Sequence, residues 1–160
     1  MRNAMTKIRF AHVTLGDIDT ILDMMRVYYE YDGLQFIEEN ARRRLIEFIS
    51  DPALGWLWLI QSETETVGYV CLIRGYGLEH GRNALIDELF IKEEFRGQRY
   101  GEGTVSFLED VARREGIESL HGDVERHNEK ASAFWMKRGF RRYDRYAMVK
   151  VFEPITSIQK

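Results

Sequence analysis

Residues 95 to 103 read Phe-Arg-Gly-Gln-Arg-Tyr-Gly-Glu-Gly, a combination that suits an anion. Strand-like residues feed the loop, glycines let a ligand approach the backbone closely, and a helical pattern starts immediately afterwards. The free amides of a helix N-terminus and its positive dipole end favour a phosphate. Arg96 and Arg99 add charge for the same anion. Two other phosphate motifs do not fit. No Gly-Lys-Ser/Thr follows, so the loop is not a P-loop. Ser106 stands where a dinucleotide fingerprint carries its third glycine, and no acidic ribose partner is evident.

The flanking elements follow from periodicity. Ile8, Phe10 and Val13 alternate as a first strand. Thr14 and Asp17 have the spacing of a capping box, and Ile18, Ile21, Leu22 and Met25 continue at helical spacing. That helix stops near Gly33. A second helix spans about Ile37 to Ile49 and ends at Asp51-Pro52. Trp56 to Ile60 and Val67 to Ile73 read as a hairpin, Gly75 to Asn83 as a loop, and Ala84 to Ile91 as a further strand. The helix after the loop buries Val105, Leu108, Val111 and Ala112 and closes at Gly116. Leu120 to Val124 is a strand, Glu129 to Arg138 a helix, and Arg142 to Phe152 a final strand. Helices interspersed among strands imply an α/β layer structure with a mixed sheet.

Composition narrows the class. The chain has 160 residues, 44% hydrophobic and 31% charged, with a net charge of -3. That fits one domain, 1–160, in a soluble protein, and argues against general nucleic-acid affinity. No run of roughly 18 apolar residues exists to span a membrane. Met1 to Phe10 lacks the apolar stretch of a signal peptide, so the cytoplasm is the expected compartment. The single cysteine, Cys71, reads as a small buried apolar residue in a strand. His12, His80, His121 and His127 show no metal-ligand spacing, and no metal is expected. Arg42-Arg43-Arg44 reads as a solvated helix face, and Trp56 and Trp58 as core. No Gly-x-Ser-x-Gly elbow supports a serine hydrolase.

A second motif joins the loop. Residues 128 to 140 read Asn-Glu-Lys-Ala-Ser-Ala-Phe-Trp-Met-Lys-Arg-Gly-Phe. Together with the loop and the preceding Asp87-Glu88-Leu89-Phe90-Ile91, this resembles the GNAT acetyltransferase superfamily. Its signatures are Arg/Gln-x-x-Gly-x-Gly/Ala and Asn-x-x-Ala-x-x-Phe/Leu-Tyr-x-x-x-Gly-Phe. Asn128, Ala131, Phe134, Gly139 and Phe140 match the second. Gly75-Tyr76-Gly77-Leu78-Glu79 and Asp144-Arg145-Tyr146-Ala147-Met148 are similar to small bacterial-type members of undefined substrate.

The resemblance implies a GNAT fold, its mixed sheet flanked by helices and splayed between the fourth and fifth strands, with acetyl-CoA (coenzyme A) as cofactor. The backbone of Leu89, Phe90 and Ile91 would pair with the pantetheine arm, as an added strand does. Gly97, Gln98, Arg99, Tyr100, Gly101 and Glu102 would hold the pyrophosphate, with Arg96 beside them. Asn128 would meet the arm from the other side, on the cofactor surface that also carries Trp135. Arg99 replaces the family's first loop glycine, and its amide serves if its backbone is right-handed. Trp135 replaces the tyrosine proposed to protonate the leaving thiolate, and an indole N–H is far too weak an acid. Tyr143 and Tyr146, on the strand that follows, are the candidates for that proton.

Glu88 is the candidate base that takes the amine's proton, and strand alternation puts it on the opposite face from Asp87. An amide of Leu89 or Phe90 would serve the developing oxyanion. The resemblance implies an acceptor side covered by Tyr29, Tyr31, Asp32, Tyr76 and Glu79, and such acid and aromatic residues suit a cationic amine. The expected activity is direct acetyl transfer to the primary amine of a small molecule in a ternary complex. The alternatives are a protein or peptide N-acetyltransferase and a catalytically silent acyl-CoA-binding module. A homodimer is an expectation by resemblance alone.

Overall fold

The computed structural model describes residues 7–152. The chain divides into two compact units, Met1–Glu125 and Arg126–Lys160. The first holds strands β1 (Arg9–His12), β2 (Gly55–Gln61), β3 (Thr66–Gly77), β4 (Gly81–Ile91) and β5 (Ser119–Gly122). It also holds helices α1 (Ile18–Tyr31), α2 (Glu38–Ser50) and α3 (Tyr100–Glu115). The second holds α4 (Glu129–Lys137).

The five strands form one sheet in chain order, antiparallel from β1 to β4 and parallel between β4 and β5. This is the mixed α/β architecture that the alternation of helical and strand patterns implies. β4 and β5 pair only from Asn83 opposite Ser119 to Ile86 opposite Gly122. Asp87 to Ile91 therefore has no β5 partner, and the sheet opens there.

Each face of the sheet has its own cover. Leu57, Leu59, Tyr69 and Phe90 on one face pack with Ile18, Ile21, Leu22 and Met25 of α1 and with Ala41 and Leu45 of α2. Phe107 of α3 stacks on Phe10 at 3.9 Å between ring centroids and meets Trp58 edge-on at 5.0 Å. Val105 and Leu108 of the same helix are fully buried. Fully burying such an aliphatic side chain contributes roughly 1.5–3 kcal/mol. The anchorage holds α1 and α3 against the strands whose ends form the site.

Local signals read from sequence recur in detail. The Asp17 carboxylate accepts from the Thr14 amide at 2.8 Å and from its hydroxyl at 2.7 Å, at the single 3-10 turn that leads into α1. Gly116 ends α3 in the left-handed region, at φ 68°. Two expectations are corrected. Gly75 to Asn83 is not one loop: β3 and β4 run as a long hairpin with Gly77 opposite Gly81. The glycines do not break it, because Gly75 lies against Asn83 so closely that a Cβ would strike the Asn83 side chain. The expected strand from Arg142 to Phe152 is not formed. Tyr146, Met148, Val149, Val151 and Phe152 are all exposed. Alternating residues make a strand only where a partner supplies hydrogen bonds and a face is covered. Among the described residues, no helix is long and apolar enough to cross a membrane.

Candidate active site

A cavity of about 440 Å³ lies between the α1–α2 hairpin and the sheet. Tyr29 reaches it from α1, Asn40, Arg44 and Leu45 from α2, Tyr69 and Cys71 from β3, and Asp87 and Glu88 from β4. Its walls are mostly apolar, and two of its polar groups converge on one carboxylate. Tyr69 donates its hydroxyl to Glu88 Oε2 at 2.6 Å, and Tyr29 donates to Glu88 Oε1 at 2.7 Å.

Burial raises the Glu88 carboxyl above the ordinary glutamate range. The two tyrosine hydroxyls favour the anion and hold part of that rise back, while Asp87 and Asp32 push it up further. A glutamate so placed takes up a proton more readily than one in water, which is the property a general base needs. Burial and the neighbouring carboxylate also push the Tyr29 and Tyr69 hydroxyls up, so both stay protonated as donors.

The β3–β4 register explains how two successive acids come to one cavity. Cys71 lies opposite Glu88, but Leu72 lies opposite Ile86, which leaves Asp87 as an extra residue. Such a bulge breaks the two-residue alternation. Asp87 and Glu88 therefore both line the cavity, and the expectation that they face opposite sides of the sheet is corrected.

Register also decides which amide faces the opening. The Lys92 amide donates to the Val67 carbonyl at 2.9 Å, one position beyond the Gly68–Ile91 pair. In an antiparallel ladder this turns the amides and carbonyls of Ile91 and, two residues back, Leu89 away from β3. They point to the edge that β5 leaves open. Arg96 Nε already donates to the Ile91 carbonyl at 3.0 Å. Phe90, by the same alternation, turns its groups to β3.

The loop after β4 leads into α3. Gly97 has φ 76° and Arg99 φ 69°, so the condition of a right-handed Arg99 is not met. Among the described residues Arg99 is the only non-glycine with positive φ. Such a conformation costs an L-residue roughly 1–2 kcal/mol. No side chain caps α3. Its first intrahelical bond is from the Gly103 amide to the Arg99 carbonyl, at 3.0 Å, so the amides of Tyr100, Gly101 and Glu102 precede the ladder. Arg99 Nε donates to Glu102 at 3.1 Å, which offsets an acid that would repel an anion. The Tyr100 ring is buried and meets Phe95 edge-on, so only its main chain remains for a ligand. These free amides beside an open strand edge fit a diphosphate on an extended arm.

The other expected site residues fall as follows. Tyr31 is exposed beneath the Arg96 guanidinium, 5.2 Å from its ring. Asp32 ends α1 and accepts from Tyr28. Tyr76 and Glu79 lie at the far tip of the β3–β4 hairpin, with Glu79 3.6 Å from His80. Tyr29 lines the cavity, whereas Tyr31, Asp32, Tyr76 and Glu79 do not. In the second unit, the Asn128 side chain accepts from the Ala131 amide at 3.0 Å and caps α4. Trp135 packs edge-on between Phe134 and Phe140. Tyr143 and Tyr146 are exposed, each under an arginine, Arg145 and Arg126 respectively.

Sequence reasoning missed Tyr69, Asn40 and Arg44. Tyr69 had a signal, since it shares a strand face with Cys71. Asn40 and Arg44 are four apart on one helix face. Arg44 is exposed, as expected of a solvated arginine run, and also lines the cavity. Trp58 is buried as expected, but Trp56 is only half-buried, with Arg74 stacked on it at 3.8 Å.

The model of the acetyltransferase (GNAT) family matches residues 19–140. The chain belongs to the GNAT acetyltransferase family. Both signature segments of this GNAT chain lie within the matched span. No curated protein matches the chain. Solved structures match its fold closely. An integron cassette protein from the mobile metagenome of Cole Harbour Salt Marsh is 24% identical, with a TM-score of 0.78, covering 92% of this chain and 91% of that one. A predicted acetyltransferase from Clostridium acetobutylicum, solved with acetyl-CoA, is 13% identical, with a TM-score of 0.75, covering 90% and 96%. The aminoglycoside N-acetyltransferase AAC(6')-Iy, in complex with CoA, is 8% identical, with a TM-score of 0.77, covering 94% and 98%. The GNAT fold is thus shared, and acetyl-CoA is the cofactor of the family.

Proposed function

We propose that this chain acetylates the primary amine of a small molecule by direct attack, with acceptor and acetyl-CoA bound together. The observation that carries the reading is Glu88, held by two tyrosine hydroxyls in the cavity beside the open edge of β4. Bound acetyl-CoA would supply an activated acetyl thioester. The amides of Gly97 to Glu102 would hold its diphosphate, with Arg96 beside them, and Leu89 to Ile91 its extended arm. By the family resemblance, Asn128 and Trp135 would contact the same cofactor.

An amine attacks only when neutral, yet alkyl amines are charged near neutral pH. Glu88 takes that proton, directly or through water. Tyr29 and Tyr69 fix the carboxylate so that its geometry costs nothing at the moment of reaction. The Leu89 amide, on the open edge, is the donor best aimed at the reacting carbonyl oxygen. This narrows the choice between Leu89 and Phe90. The proton for the leaving sulfur falls to Tyr143, Tyr146 or solvent, since Trp135 cannot supply it. Tyr29 would contact the acceptor, whereas Tyr31, Asp32, Tyr76 and Glu79, which lie outside the cavity, have no support from its lining for that role. A cavity of about 440 Å³ suits a small molecule better than a peptide.

The test is CoA release from acetyl-CoA across a panel of amines, amino acids and peptides, with calorimetry for CoA itself. Saturable release with a small amine, abolished in Glu88→Gln, is expected. CoA binding with no release on any acceptor would favour a silent binding module, and release on peptides alone a protein acetyltransferase.

A further inference from the structure

The three arginines of α2 have different surroundings. Arg42 bonds Asp19 at 2.8 Å and Glu38 at 3.2 Å, and Arg43 approaches Glu47 at 4.0 Å. Arg44 lines the cavity while staying exposed to solvent and, among the described residues, has no ion-pair partner. One helical turn before it, Asn40 lines the same wall. The opposite wall carries Asp87 and Glu88 on the sheet. The cavity therefore has an acidic floor and a basic, amide-bearing wall, and Phe36, Phe48 and Leu57 also line it.

Resting on the acyltransferase reading above, we propose that the acceptor is a free amino acid, its amine directed to Glu88 and its carboxylate held by Arg44 and Asn40. A guanidinium pairs a carboxylate through two parallel hydrogen bonds, and the Asn40 amide can add a third. A plain amine meets only the acidic floor and gains nothing from Arg44. A second cationic group in its place meets Arg44 as a like charge, so the same residue selects against diamines. The apolar lining favours an aromatic or aliphatic side chain over a polar one.

The test pairs each amino acid with its decarboxylated amine, for example phenylalanine with phenethylamine. It measures kcat/KM by CoA release and the acceptor Kd by calorimetry with CoA present. The amino acid is expected to exceed its amine by about tenfold or more. Arg44→Ala should erase that ratio mainly through KM and raise the acceptor Kd, leaving CoA affinity unchanged. Arg43→Ala, on the same helix and outside the cavity, should keep the ratio and reports whether loss of a helix charge alone matters. Amines used as well as or better than amino acids, or a ratio that survives in folded Arg44→Ala, overturns this proposal and leaves the acyltransferase reading standing. CoA binding with neither set acetylated overturns both.

Discussion

Tyr69 donates its hydroxyl to Glu88 at 2.6 Å, diagonally across the β3–β4 pair. Cys71 is the residue directly opposite Glu88, and Tyr69, two positions away, spans the extra distance with its ring. The tyrosine is 1% exposed, so its hydroxyl has no ready exchange with water. The carboxylate is thereby oriented by a group that the core itself holds still.

Tyr69→Phe should raise the Glu88 pKa further, because the lost hydroxyl favoured the anion. The acid limb of the kcat/KM profile should shift to higher pH, with about 1–2 kcal/mol of stability lost with the hydrogen bond. An unmoved acid limb in a folded variant would show that Glu88 does not set it.

Glu88→Gln should lower kcat by roughly 10²–10⁴-fold, the range for losing a general base, while acetyl-CoA affinity is kept. Its stability has a definite sign. Because burial raises the Glu88 pKa, the native state binds more protons than the unfolded chain between the ordinary glutamate value and the raised one. Stability therefore falls as pH rises through that window and stays lower above it. The variant lacks this titration, so melting temperatures across the window should decline less than in the wild type. Equal declines would contradict the raised pKa.

Cys71→Ala should retain most of the activity. Burial, reinforced by Asp87 and Glu88, pushes the thiol far above its usual pKa, so little thiolate exists near neutral pH to carry an acyl group. Intersecting initial-velocity lines and no acetyl adduct by mass spectrometry are expected. Parallel lines, with activity lost in the variant, would mean a covalent intermediate on this cysteine.

Arg99→Gly should stabilise the fold by up to about 1.5 kcal/mol. The relief of a left-handed L-residue is roughly 1–2 kcal/mol, offset by the extra freedom of an unfolded glycine, about 0.5–1 kcal/mol. The exposed Arg99–Glu102 pair adds little. Urea unfolding should show a higher midpoint at unchanged slope. A lower midpoint would mean that the guanidinium contributes more than its backbone costs.

What could be read from the chain alone was local. The Thr14–Asp17 cap, the helix that follows the 95–103 loop, its glycine stop at Gly116 and the apolar strand runs all depend on residues a few positions apart. The resemblance of the two signature segments pointed to the family for a similar reason, since each is a short contiguous pattern. Glu88 was legible only because it lies within the Asp87–Ile91 strand end.

Tertiary structure decided the rest. Asp87 and Glu88 share a cavity because β3 pairs with β4 one residue out of step, and no pattern within β4 announces that shift. Tyr69 meets Glu88, and the exposed Arg44 lines the same cavity as Glu88, only through packing between distant segments. The α3 N-terminus holds Arg99 in a left-handed turn against its own preference. Near neighbours set caps, turns and periodicity, whereas register and shared cavities arise from long-range contacts, and the chemistry here depends on the latter.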